Sequence, residues 1–136
     1  MSQLANAFHH HLEEVKTADL SSEALGWAVG KTEGLDVYLE PPGYNGVPWR
    51  VFARYRGEAI EHIKRFNPWE DWTLGGTLIA KYRIGFGLYS DSFFAVTGLD
   101  NITGDADGST HLIAACRAVV AAKLGDTVQV PKELMP

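Results

Sequence analysis

The chain has one cysteine, Cys116, among 136 residues. That excludes an internal disulfide and fits a reducing cytosol. No apolar run approaches the length of a membrane span. The first residues lack the charged-then-apolar pattern of a secretion signal. A cytoplasmic protein with no membrane partner is therefore expected. The usual catalytic signatures are also missing: no phosphate-binding glycine loop, no Gly-x-Ser-x-Gly elbow and no paired zinc histidines. The five histidines are His9-His10-His11, His62 and His111. Adjacent histidines do not converge on one helix face, and no partner is spaced to complete a metal site. Only His62 lies centrally, where Asp71 or Glu70 would orient it as an acid–base pair. No spacing supports that geometry, so no catalytic residue, metal or cofactor is assigned.

What is present is ordinary in bulk and uneven in detail. A 46% hydrophobic and 21% charged composition suits a globular protein, and the length suits a single domain with a real core. The net charge of −5 argues against wholesale coating of nucleic acid. Residues 1–40 set seven acids against Lys16 and Lys31, whereas residues 50–83 set seven bases against four acids. The basic block (Arg50, Arg54, Arg56, Lys64, Arg65, Lys81 and Arg83) interleaves with Trp49, Phe52, Tyr55, Phe66, Trp69, Trp72 and Tyr82. Basic and aromatic interleaving is how single-strand binders combine phosphate neutralisation with stacking. The plainer reading is a half-buried sheet with solvated charges.

Taken in order, residues 1–14 read as a flexible extension; across residues 1–15, Ala5, Phe8, Leu12 and Val15 stand near helical spacing, enough for a few turns. Residues 15–136 read as one α+β domain. Ser21 caps a helix over about 21–33 that stops at Gly34. Ser22, Gly26, Gly30 and Gly34 recur every fourth residue and make a smooth face for a close-packed neighbour. Leu35–Glu40 and Trp49–Arg54 alternate as strands, and Ala59–Phe66 suggests a short helix. Tyr82–Leu88 and Phe93–Thr97 form the clearest hairpin, in which Gly85 and Gly87 leave one face bare. Residues 98–108 read as a polar surface turn. Its aspartates fail the calcium-loop pattern, because counting from Thr103 the twelfth place is Ala114. Thr110 caps the longest helix, about 110–124, which ends at Gly125. Cys116 lies in its apolar face, and its small face (Ala114, Ala118, Ala121, Ala122) is expected to meet the glycines of the first helix. Val128–Pro131 has room for one short strand. The fold class is thus α+β: a small antiparallel sheet of three to five strands against two main helices and a short third.

That third helix is expected at about 68–74. Asn67 would cap it, Pro68 suits its first position, Glu70 completes a capping box and Gly75-Gly76 end it. Trp69 and Trp72 would share one face, as core anchors or as a pocket wall beside Asp71.

Three stretches, VKTADLSSEALGWAVGKTEG (15–34), NPWEDWTLGGTLI (67–79) and GSTHLIAACRAVVAAKLGDTVQVPKEL (108–134), resemble the phage NinX-like family in order. They cover about half of the chain. The pairing of the Asp71-Trp72 block with the Ala-rich last helix is the most specific element. The family tends to carry prolines just before that helix, where this chain has Ser109 and His111; Thr110 can still cap it. The resemblance implies a phage or prophage setting and no mechanism.

The expectation is a non-catalytic binding or accessory module, monomer or weak homodimer, that contacts an unknown protein or small ligand through Trp69, Asp71, Trp72 and Arg83. The alternative is a nucleic-acid-associated protein using Arg50, Arg54, Arg56, Lys64 and Arg65, whose binding would fall steeply with salt.

Overall fold

The computed structural model describes residues 11–57 and 59–135. Along them run β1 (Leu12–Lys16), α1 (Ser22–Thr32), β2 (Asp36–Glu40), β3 (Arg50–Arg56), β4 (Glu61–Arg65), α2 (Trp72–Lys81), β5 (Gly85–Leu88), β6 (Phe93–Val96), β7 (Asp105–Gly108), α3 (His111–Leu124) and β8 (Thr127–Pro131). The class is α+β, and every strand pairing is antiparallel. Instead of one sheet there are three small ones: β1–β8, β2–β3–β4 and β5–β6–β7. The two helices between them explain the division. α3 packs on β6 and β7, α1 packs on α3, and β2 and β3 pack on α1. Each three-stranded sheet therefore covers the outer side of a different helix.

α3 is buried along nearly its whole length, through Leu112, Ala114, Ala115, Cys116, Ala118, Val119 and Val120. A helix apolar all round belongs in the middle of a fold. Its ends follow the sequence. Thr110 Oγ1 accepts the Ile113 N–H at 3.1 Å, and Gly125 leaves the helix with φ 92°. Cys116 is fully buried, and burial pushes its thiol up to about 12, so it is packing rather than a nucleophile.

Several expectations are corrected. Residues 1–10 lie outside the described residues, with most of the His9-His10-His11 trio and the start of the expected helical turns. Leu12–Lys16 is a strand, because Glu13, Glu14 and Val15 register opposite Val130, Gln129 and Val128. The apolar spacing of Ala59, Ile60 and Ile63 does not mark a buried helical face: Ile60 and Ile63 are 63% and 52% exposed. After a turn closed by the Gly57 N–H on the Ile60 carbonyl at 3.0 Å, the chain returns as β4 along β3. Asp105–Gly108 is a strand, not part of a surface turn. Thr97 shapes the approach to it by donating to the Ile102 carbonyl at 2.7 Å and accepting the Gly104 N–H at 3.0 Å.

The glycines of α1 do not meet the alanines of α3. A Cβ on Gly26 would lie 2.5 Å from the Trp69 ring, and one on Gly30 would lie 2.5 Å from Val37 Cγ1. The smooth face thus accommodates an indole and a strand. The small face of α3 receives backbone instead, since a Cβ on Gly104 would lie 2.4 Å from the Ala118 carbonyl oxygen.

The helix expected at 68–74 begins one turn later. Residues 67–71 form a turn in which the Glu70 and Asp71 N–H groups donate to the Asn67 carbonyl at 3.1 and 3.0 Å. Asp71 caps α2, accepting from Thr73 N at 2.8 Å and Leu74 N at 3.2 Å. Gly75 and Gly76 sit inside the helix rather than ending it. Gly75 is there for space: a Cβ would lie 2.5 Å from Leu112 Cδ2 and 2.6 Å from the Pro68 carbonyl oxygen. A Cβ on Gly76 meets nothing within 4 Å. Gly76→Ala is therefore expected to raise stability by up to about 1 kcal/mol through helix propensity alone. Gly75→Ala is expected to lower it by about 1–2 kcal/mol through overpacking. Thermal melts of the two variants check the pair; a matching shift in both would contradict the packing of α2 on α3.

Candidate contact surface

Two helix starts and one hairpin converge on a single imidazole. Asp71 fixes the first turn of α2 and leaves Trp72 on the outside, 61% exposed. Thr110 fixes the first turn of α3 and sets His111 beside the hairpin. The His111 ring lies 3.9 Å from that of Phe93, 5.0 Å from Phe86 in edge contact, and 6.3 Å from Trp72. Phe86 and Phe93 come from neighbouring strands on the face of the sheet that bears Ala95, which is fully buried. The sheet overhangs the start of α3, so Phe86 is 37% and Leu88 75% exposed. The result is an aromatic and aliphatic patch around a histidine, on backbone held by two capped helices.

The four expected contact residues do not share one site. Trp69 is a core residue, 8% exposed, with its ring against Gly26 and the Arg65 guanidinium 5.6 Å from its centroid. The Asp71 carboxylate is engaged as a cap. Arg83, with φ 50°, lies past the far end of α2, about 15 Å of helix from Trp72. Trp72 alone faces the patch. Nothing local in the sequence marks His111, Phe86 and Phe93 as neighbours, although Phe86 and Leu88 stand on one face of the expected hairpin. His111 was legible only as the first residue after a cap.

The basic block is largely neutralised by carboxylates. Arg54 meets Asp36 at 3.4 Å and stacks 3.9 Å from the Tyr38 ring. Arg56 reaches Asp36 at 3.5 Å and Glu61 at 3.9 Å. Arg65 pairs with Glu23 through two nitrogens, and Arg50 lies over Phe52. Lys64 lines a cleft of about 340 Å³ with Tyr55, His62 and Leu74. The two carboxylates considered for His62 are engaged elsewhere: Asp71 holds backbone N–H groups and Glu70 accepts from the Asn67 amide at 2.9 Å. Among the described residues no group of three or more His, Cys, Asp or Glu is placed to hold a metal ion. No described helix is long and apolar enough to cross a membrane.

A second concavity, of about 330 Å³, lies beside α2 and is bounded by Leu35, Tyr55, Leu78 and Glu33. At its rim Glu33 accepts from Lys81 Nζ at 2.7 Å and from the Tyr82 hydroxyl at 2.5 Å. Burial works to raise the Glu33 carboxyl, but the hydrogen bonds from Lys81 and Tyr82 and the charge of Lys81 outweigh it and hold it below its ordinary 4.5. Burial and the Glu33 carboxylate hold the Tyr82 phenol above its ordinary range. A depressed carboxyl contributes stability above the unfolded-state value and loses it as pH falls through the folded-state value. Glu33→Gln is therefore expected to melt below the wild type at neutral pH, with the gap closing as pH falls below 4.5. Melts across that range check the sign; a gap that widens in acid would contradict it.

The comparisons with known proteins agree with the three sequence blocks. No curated protein matches the chain. The family model described as "Bacteriophage P22, NinX" matches residues 16–123, a span that runs from the end of β1 to the last turn of α3 and takes in Trp72, Phe86, Phe93 and His111. The chain belongs to the phage NinX family.

Proposed function

We propose that the protein is a non-catalytic binding module that docks a protein partner on the surface formed by Trp72, Phe86, Leu88, Phe93 and His111. The observation that carries the reading is the 61% exposure of Trp72 on a capped, preorganised helix start beside a stacked imidazole. Contiguous exposed apolar surface of this kind marks interaction sites, and tryptophan in a rigid setting is a favoured anchor. A nucleic-acid partner has less support, because Arg54, Arg56 and Arg65 are each committed to carboxylates. A cytoplasmic setting belongs to the same reading and is supported by the lone, buried Cys116.

Site-specific photo-crosslinking tests it. A photoreactive phenylalanine analogue at position 72 is expected to capture one discrete polypeptide in phage-carrying cells, while the same group at position 36 does not. Capture of that same polypeptide from position 86, distinguished by mass from a second copy of the chain, is expected to disappear in a Trp72→Ala variant whose melting temperature stays near that of the wild type. Capture of nucleic acid at position 72, or equal capture from positions 72 and 36, would overturn the reading.

A further inference from the structure

We propose that two copies of the chain pair through β5, antiparallel and centred on Gly87, to make one continuous six-stranded sheet. This goes beyond the partner surface proposed above and does not depend on it, although the two share Phe86 and Leu88, which the pairing would cover while leaving Trp72 open.

β5 is an edge strand of the β5–β6–β7 sheet, and all four of its residues are exposed. The hydrogen-bond phase of the hairpin shows which backbone groups face outward. The Tyr89 N–H donates to the Ser92 carbonyl at 2.9 Å, so Tyr89–Ser92 is a bonded pair. Bonded and non-bonded pairs alternate in an antiparallel ladder. In the register Gly85↔Val96, Phe86↔Ala95, Gly87↔Phe94, Leu88↔Phe93, Gly85 and Gly87 therefore bond inward to β6. The N–H and C=O groups of Phe86 and Leu88 point to the open edge.

An edge in this state invites another strand unless it is guarded by charge, proline or a bulge. The other open edges are guarded. β7 carries Asp105 and Asp107, β2 carries Asp36 and Glu40, β4 carries Glu61, Lys64 and Arg65, β1 carries Glu13, Glu14 and Lys16, and β8 ends in Pro131. β5, Gly-Phe-Gly-Leu, has no such guard.

The sequence around β5 is complementary to itself in one register. With Gly87 opposite Gly87 of the second copy, Phe86 faces Leu88 and Leu88 faces Phe86, and each pair exchanges two hydrogen bonds through its outward groups. Phe86 and Leu88 project from the same face, so their exposed side chains cover one another. On the opposite face Tyr89, 55% exposed, falls across from the bare Gly85, where a ring can cover glycine backbone. The ladder stops short of Arg83, whose φ is 50°, and of Asp91, in the hairpin turn; continued past the strand ends, the same register brings the long Arg83 side chain of each copy toward Asp91 of the other. Shifting the centre by one residue toward Phe86 sets Leu88 opposite Ile84, whose N–H is already bonded to the Ile79 carbonyl at 3.0 Å. It also separates Arg83 from Asp91. Shifting it toward Leu88 moves Phe86 opposite Ser90, beyond the strand. The register centred on Gly87 pairs the outward groups of both Phe86 and Leu88 within the strand and brings the opposite charges nearest to each other.

Analytical ultracentrifugation of the full chain over a wide concentration range tests the proposal. The wild type is expected to show a reversible monomer–dimer equilibrium. Arg83→Asp or Asp91→Arg alone turns two attractions into repulsions and is expected to weaken dimerisation about tenfold, as for exposed ion pairs counted twice. The double variant Arg83→Asp/Asp91→Arg is expected to return to near the wild-type constant. Leu88→Pro removes an outward N–H that no intrachain bond uses, and is expected to give a folded monomer by circular dichroism. Trp72→Ala is expected to leave the dimer intact, so this proposal and the partner surface fail separately. A wild type that stays monomeric at millimolar concentration, charge reversals that leave the dimer constant unchanged, or a double variant no better than the singles would overturn the register.

Discussion

Gly108→Ala is expected to destabilise the protein by about 3 kcal/mol, at the upper end of overpacking costs. At the end of β7 the strand backbone lies directly on the first turns of α3. A Cβ at 108 would lie 2.5 Å from Ala114 N, 2.9 Å from Ala114 Cα and 2.9 Å from Ile113 Cγ2. Two of these atoms are backbone of a helix buried on nearly every side, so no rotamer change relieves the contact. The Gly104 position is equally tight, with Ala118 O at 2.4 Å, Ala122 N at 2.6 Å and Ala122 Cβ at 2.7 Å. A loss of about 3 kcal/mol in a domain of this size lowers the melting temperature by roughly 10 °C, which circular dichroism resolves easily. Gly85→Ala is the control on the same sheet, since a Cβ there meets nothing within 4 Å; it is expected to melt near the wild type. If Gly108→Ala melts like Gly85→Ala, β7 does not lie on α3 as described.

Glu23→Ala is the second large effect, expected at about 3 kcal/mol. The Glu23 carboxylate accepts the Val51 N–H at 2.7 Å and Arg65 Nη1 at 2.9 Å, and it is bonded to Arg65 Nη2 as well. It occupies the place where β4 leaves β3: the Phe66 N–H still reaches the Val51 carbonyl at 3.0 Å, while the Val51 N–H turns to the carboxylate. The ion pair is largely shielded, with side chains 29% and 16% exposed. Removing Glu23 leaves the core Val51 N–H without its acceptor and the shielded Arg65 guanidinium without its counter-charge, with only the Val51 carbonyl at 3.0 Å, which is the costly way to break such a pair. Replacing both partners is milder, so Glu23→Leu/Arg65→Leu is expected to lose less than the sum of the single losses. Denaturant melts of the two singles and the double check this; strict additivity would mean that Glu23 and Arg65 are not coupled.

These effects show which parts of the fold were legible in the sequence. α3 was readable because Thr110 and Gly125 bracket a mostly apolar segment at helical spacing, broken only by Arg117 and Lys123 after His111, and the hairpin because Tyr82–Leu88 alternates before Ser90-Asp91-Ser92. Both signals are local. The partners of the glycines were not readable. Gly26 and Gly30 announce a close neighbour, but nothing local says that it is Trp69 and Val37 rather than α3. β7 was hidden because Asp105-Ala106-Asp107-Gly108 has only small residues to turn toward α3, and small residues in a polar segment read as loop. β1 depends on β8, more than a hundred residues away. The start of α2 was misplaced because Asn67-Pro68 and Asp71 offer competing caps one turn apart. The turn at 67–71 takes the first, and burial of Trp69 leaves Trp72 outside. The residues of the proposed contact surface are legible only separately, as Trp72, Phe86 and Leu88; tertiary packing brings Trp72 and Phe86 to His111.

The measurement that bears most directly on the contact surface is collisional quenching of tryptophan fluorescence. Acrylamide is expected to quench one strongly accessible indole in the wild type, and that component should vanish in Trp72→Phe and persist in Trp69→Phe. If Trp72→Phe leaves the accessible component unchanged, Trp72 is not the exposed anchor, and the contact surface proposed around it does not exist.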